Sequence, residues 1–169
     1  MSAIKNVLFV AAGNSARSLM AEALLNTKGR GAFNAFSAGL SAGTLINPFA
    51  LEIIRDLGYG RQQLRAKHWN EFVTDDAPRL DFVITLCDAS ANMEHHSVWP
   101  GKPIIAKWNI YDPRGALGSV AGKRSTFQKS LAQLTARIDL LLSFPHAHFD
   151  RDVIEQELNG FDLLCKDPA

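Results

Sequence analysis

The apolar run from Ile4 to Val10 (IKNVLFV) ends in a turn of small residues, Ala11 to Ala16 (AAGNSA), and passes directly into a helical pattern from Arg17 to about Lys28. A short strand rich in β-branched and aromatic side chains, followed at once by a helix, is the unit from which parallel sheets are built. Leu19, Ala23 and Asn26 share one face of that helix, and Met20, Ala21, Leu24 and Leu25 widen its apolar stripe. The alternation continues along the chain. Phe33 to Ser37 (FNAFS) predicts a second strand closed by Ala38-Gly39, and Pro48 opens a helix that runs to about Leu57 and stops at Gly58. Leu80 to Leu86 (LDFVITL) and Pro103 to Trp108 (PIIAKW) predict two more buried strands. From Gly122 to Phe144 the residues Phe127, Leu131, Leu134, Ile138, Leu141 and Leu142 recur at helical spacing until Pro145 ends the pattern.

Strands separated by helices of ten or more residues give an α/β fold: a single domain with a four-stranded parallel sheet flanked by helices on both faces. This domain is expected over residues 1–145. A C-terminal extension, 146–169, reads either as a short helix (Asp152 to Leu158) or as a loose tail. In open sheets of this kind, ligands bind beyond the carboxyl ends of the strands. That rule directs attention to the turn after the first strand.

Composition narrows the function. With 169 residues, 18 basic and 17 acidic side chains and a net charge of +1, the chain has no excess charge for a nucleic-acid or membrane surface. Neither partner is expected. Residues Met1 to Asn6 open straight into the first apolar run without a leader pattern, and no apolar run is long enough to cross a bilayer, so the expected location is cytoplasmic. The two cysteines, Cys87 and Cys165, lie far apart and are expected to be reduced there. Adjacent side chains such as His95 and His96 rarely point at one ion, and no Cys or carboxylate set at ligand spacing surrounds them, so no metal or other cofactor is expected.

The turn carries the chemistry. Ala12, Gly13, Asn14, Ser15 and Ala16 let an anion approach the backbone. The first amides of the following helix point outward, and its dipole adds positive potential. Arg17 can clamp a tetrahedral anion through two hydrogen bonds. Asn14 can hold the loop through its amide, and Ser15 or Ser18 can donate a hydroxyl. The plainer reading is a strand-to-helix turn capped by Asn or Ser, with Arg17 in solvent.

The segment VLFVAAGNSARSLMAEALLN resembles the signature of the low-molecular-weight tyrosine phosphatase superfamily, and most of all its thioredoxin-coupled arsenate reductase branch. The resemblance continues through Ser37-Ala38-Gly39, Asn47-Pro48-Phe49-Ala50, Phe82 to Asp88, Val98 to Gly101 and Asp112-Pro113, covering residues 4 to about 144. It implies a loop that binds arsenate, phosphate or a phosphorylated side chain. The family's nucleophile is a cysteine at the first loop position, where a lowered pKa makes it a thiolate. Here that position is Ala11, which has no lone pair and cannot form the covalent intermediate.

The resemblance also implies a general acid at Asp112 and two further redox cysteines. Cys87 matches the first of these. The second should stand shortly before Val98, where His96 aligns, so a disulfide relay within the chain is impossible. Cys87 is then either a remaining redox thiol or a packed core thiol. Lys107-Trp108 stands where this branch commonly has His-Trp. Two explanations fit Ala11: natural loss, giving a pseudoenzyme, or a Cys-to-Ala substitution made to trap a ligand. Several departures beyond residue 11 favour the first, and a cysteine codon in the native gene would refute it. The expected function is oxyanion binding without turnover. The rival expectations are a phosphoprotein-binding or oxyanion-sensing module, and an engineered form of an active enzyme. The oligomeric state is not legible.

Overall fold

A computed structural model describes residues 3–41, 43, 45–60, 64–86, 99–145 and 150–164. The first strand, β1 (Lys5–Ala11), leads into α1 (Arg17–Lys28), and β2 (Phe33–Gly39) into α2 (Pro48–Asp56). Then come β3 (Phe82–Thr85), β4 (Ile104–Lys107), α3 (Val120–Ser143) and α4 (Arg151–Leu164). Two 3-10 turns, Trp69–Phe72 and Pro113–Gly115, punctuate the loops. The four strands form one parallel sheet in the order β2-β1-β3-β4, so the expected α/β class with a four-stranded parallel sheet is what the chain forms.

The central strand β1 is buried on both sides because its side chains alternate between two apolar layers. Val7 and Phe9 join Phe82, Ile84, Ile104 and Ala106 on one face. There they meet Leu19 and Met20 of α1, Ile53 and Ile54 of α2, Leu134 and Ile138 of α3, and Ile154 and Leu158 of α4. Leu8, Val10 and Val83 face the other way, under Phe72 of the turn Trp69–Phe72, Leu80 and Trp99. The stretch after Pro145 contains a helix longer than the short one expected. It docks on β4 through Ile154 and Leu158 and through Arg151, whose guanidinium donates to the carbonyls of Lys102 and Pro103 at 2.6 and 2.9 Å.

Asn47 and Ser119 accept hydrogen bonds from the first amides of α2 and α3, as helix starts require. α1 differs. Its cap residue is Ala16, and no side chain caps it. Nine consecutive residues of this helix, Arg17 to Leu25, are buried, so two charged side chains, Arg17 and Glu22, lie inside. Ser37 and Tyr59 donate to the Glu22 carboxylate, and the Lys67 ammonium lies 3.6 Å from it. A buried carboxylate requires such partners. Burial outweighs the attraction of Glu22 and lowers the Lys67 pKa.

Both edges of the sheet are closed by asparagine. Asn26 of α1 donates to the Ala35 carbonyl and accepts from its amide, at 2.9 and 2.8 Å. Asn159 of α4 donates to Ile105 O at 3.3 Å and accepts from Lys107 N at 2.9 Å. Each amide imitates a neighbouring strand over one residue step and hides groups that would otherwise template aggregation.

Candidate functional site

Ala11 is the last residue of β1. It pairs with Gly39 and is 4% exposed. The loop beyond it is tied down on one side by the segment after β2. The amides of Leu40, Ser41, Gly43 and Asn47 donate to the carbonyls of Ala11, Ala12, Gly13 and Ser15, at 3.1, 2.9, 3.3 and 2.9 Å. A trans peptide holds its C=O and the next N–H antiparallel. Anchoring those four carbonyls therefore turns the amides of Ala12, Gly13, Asn14 and Ala16 the opposite way, as an anion-binding nest requires. The end of β2 presses against this loop. A Cβ on Gly39 would lie 2.8 Å from both Asn14 N and the Gly13 carbonyl carbon, so only glycine fits.

Asn14 makes the turn itself. It is fully buried with φ of 49°, the left-handed region that asparagine tolerates better than most side chains. Its Oδ1 accepts from Lys67 N at 2.8 Å, and its Nδ2 donates to Ser18 Oγ at 2.9 Å. The sequence-based role of Asn14 as a loop brace thus has its geometry, and buried Ser18 belongs to the same brace. Ser15 is partly exposed at the mouth.

Arg17 is not in solvent. It is 6% exposed. Its Nη1 donates to the carbonyls of Leu86 and Ile110, at 2.9 and 3.0 Å, and its Nη2 to Asp112 Oδ2 at 2.9 Å. The arginine joins the ends of β3 and the loop after β4 to the start of α1, so the structure brings Arg17 and Asp112 together across 95 residues of chain. Lys107 is exposed. Cys87, His95 and His96 lie outside the described residues, as does Cys165.

Sequence reasoning missed Arg114. Its Nη2 donates to Asp112 Oδ2 at 2.6 Å and its Nε to Oδ1 at 3.0 Å. Its Nη1 donates to Ser15 Oγ at 3.4 Å. Position two beyond Asp112 was the only sequence signal, and it does not reveal that the side chain folds back over the loop. Asp112 is thereby held between two guanidiniums. Burial raises its pKa, but the hydrogen bonds from the Arg114 side chain and backbone and the charges of Arg17 and Arg114 outweigh burial and hold it below the usual carboxylate value. In this arrangement the carboxylate accepts from both guanidiniums.

A cleft of about 1210 Å³ lies elsewhere, along the outer edge of β2 beside Glu22, Tyr59, Arg65 and Lys67. Those groups are bonded to one another, whereas the loop after β1 presents backbone donors and stands at the carboxyl end of the sheet. The chemistry therefore points to the loop. No group of three or more metal-binding side chains occurs among the described residues, and none of their helices is long and apolar enough to cross a membrane.

Fold and loop together define a class: a phosphatase-like α/β domain whose amide-lined loop joins the first strand to the first helix. The chain belongs to the low molecular weight phosphotyrosine protein phosphatase family, whose model matches residues 6–161. It is similar to the glutaredoxin arsenate reductase of Synechocystis sp., with 31% identity over 66% of this chain and 81% of that one. Among solved structures it superposes on an arsenate reductase in the phosphate binding state, with a TM-score of 0.65, 28% identity, and coverage of 83% of this chain and 98% of the other. It also superposes on a low molecular weight protein tyrosine phosphatase from T. tengcongensis, with a TM-score of 0.64, 25% identity, and coverage of 82% and 97%. The resemblance read from the loop, to arsenate reductases within this superfamily, is what these relatives show.

Proposed function

We propose that this chain binds a tetrahedral oxyanion on residues 11–17 and does not turn it over. The observation that carries the reading is Ala11. It sits at the base of the loop, where the family resemblance calls for a thiolate, and a methyl group can neither attack phosphorus or arsenic nor leave from it. The binding half is supported by the four anchored carbonyls, by the uncapped start of α1, and by a similar arsenate reductase described in a phosphate binding state.

The test is calorimetric titration with phosphate and with arsenate near neutral pH, alongside the variant Ala11→Cys. Saturable binding by the parent chain, with phosphatase or reductase activity only in the variant, is the expected result. A folded parent that binds neither anion refutes the reading.

A second reading, recognition of a phosphorylated protein side chain, is favoured by the flanking loops. They expose Leu45 at 82%, Tyr111 at 50% and Leu117 at 92%, more apolar surface than a free inorganic anion would use. A phosphopeptide that binds tighter than phosphate on the same site supports it, and equal affinity counts against it.

A further inference from the structure

Three polar side chains of α3 are buried: Ser130 at 0%, Gln133 at 8% and Arg137 at 3% exposure. They follow one another at helical spacing and so share one face. Beside them Phe127, Leu134, Ile138 and Leu141 pack into the core. The three polar side chains meet the chain beyond β4. Arg137 Nη2 donates to Asn109 O at 3.2 Å, Tyr111 N donates to Gln133 Oε1 at 2.9 Å, and Ser130 Oγ donates to Tyr111 O at 2.8 Å. Buried polar groups need partners of this kind, and here one face of the helix directs three of them at one short stretch of backbone.

That stretch is the one that orients Arg17, because Ile110 O and Asp112 Oδ2 both accept from its guanidinium. Ile110 O and Tyr111 N belong to a single peptide unit. It is trans, so its C=O and N–H point in opposite directions. Arg17 holds one end of the unit and Gln133 holds the other. Burial of the Ile110 side chain, 4% exposed, fixes where the loop lies but not the rotation of this peptide plane. A flip of the plane would turn the carbonyl from Arg17 with little movement of the flanking side chains. Resting on the oxyanion-binding reading above, we propose that Gln133 is a positioning residue for the anion. By locking the Ile110–Tyr111 peptide it keeps Arg17 in the orientation that clamps a tetrahedral oxyanion. Ser130 locks the next peptide, Tyr111–Asp112, and so sets the backbone from which Asp112 reaches Arg17.

Calorimetric titration of the full chain with inorganic phosphate and with arsenate near neutral pH compares the parent with Gln133→Leu, Ser130→Ala and a control, Arg151→Ala. Leucine offers no acceptor to Tyr111 N. Gln133→Leu should weaken both anions by about five-fold, the factor that one net hydrogen bond is worth, and Ser130→Ala by about three-fold. Arg151 is bonded to the carbonyls of Lys102 and Pro103 at the amino end of β4, the end of the sheet away from the loop. Its replacement should lower stability and leave anion affinity unchanged.

The NMR signal of the Arg17 Nε–H, assigned by its loss in Arg17→Lys, separates positioning from general loosening. It should shift or broaden in Gln133→Leu while the folded backbone spectrum persists. It should stay as in the parent in Gln133→Glu, which keeps the acceptor and is read by this signal alone because its added charge bears on affinity. An unmoved signal in folded Gln133→Leu overturns the proposal, as does affinity within two-fold of the parent in both loop variants, and either result leaves the oxyanion site intact. Equal losses in Arg151→Ala overturn it as well, because stability then accounts for them. Should Gln133→Leu not fold, Ser130→Ala decides by the same two-fold criterion. A folded parent that binds neither anion overturns both this proposal and the reading beneath it.

Discussion

Replacing Asn14 by alanine should destabilise the domain far more than one surface-loop substitution ordinarily would, and the structure gives the size. Two hydrogen bonds are lost, from Lys67 N at 2.8 Å and to Ser18 Oγ at 2.9 Å. Each is worth about 1 kcal/mol net, and the Lys67 amide is left buried without its acceptor. Alanine must also adopt φ of 49°, which costs it roughly 1 kcal/mol more than asparagine. The total is about 3 kcal/mol. For a domain of this size, that corresponds to a fall in Tm of roughly 6–12 °C. Asn14→Gly removes the same two bonds but relieves the backbone, so it should cost about 2 kcal/mol and melt above the alanine variant. Urea unfolding followed by circular dichroism measures all three proteins. An alanine variant within about 0.5 kcal/mol of the parent, or a glycine variant less stable than the alanine one, would refute the account of how this loop is held.

Two further outcomes follow from the packing around it. Burial, and next the charge of Glu22, push the Tyr59 phenol up to about 12 from its ordinary value of about 10. The stability from keeping it protonated is complete below about 10 and lost as the pH rises toward 12. Near-ultraviolet absorbance should show this delayed ionisation, and Tyr59→Phe should remove it. Asn26→Ala and Asn159→Ala should each cost about 1–2 kcal/mol in urea unfolding, because each strips the cap from one edge of the sheet. Asn26→Ala should cost more, since its bonds are partly buried and those of Asn159 are exposed. Equal, negligible losses would show that water replaces both caps without penalty.

What the sequence made legible was local. The strand from Ile4, the small-residue turn and the helix from Arg17 follow one another without a gap, so periodicity alone places the loop at the end of β1. The second strand ran two residues beyond the expected Ser37, because Gly39 N bonds to Lys67 O and holds the strand end in register. No pattern in the chain announces that contact. The third and fourth strands came out shorter than their apolar runs, since Leu80, Leu86 and Trp108 are buried by packing beyond the paired segments. No local pattern announces that Glu22 is buried among partners on β2 and in the loops near residues 59 and 67. Arg114 was invisible for the same reason: its contact with Ser15 spans 99 residues. Spacing rules report on neighbours along a helix or strand, and these contacts exist only once the sheet has assembled.

The parts that shape the loop are distinct from the part that would react in it. Four anchored carbonyls, the bare face of Gly39 and the two bonds of Asn14 fix the backbone. Arg17 is oriented by the carbonyls of Leu86 and Ile110 and by Asp112. None of these interactions involves the side chain at position 11. The frame is therefore built without the side chain at position 11. Binding and bond cleavage are then separable at a single side chain. The separation has an electrostatic consequence. A thiolate at the base of the loop would place a negative charge against any incoming dianion, and Ala11 places none. The alanine form should therefore hold phosphate or arsenate more tightly than the Ala11→Cys variant holds it before reaction, and affinity rather than turnover is the property by which this site is best judged.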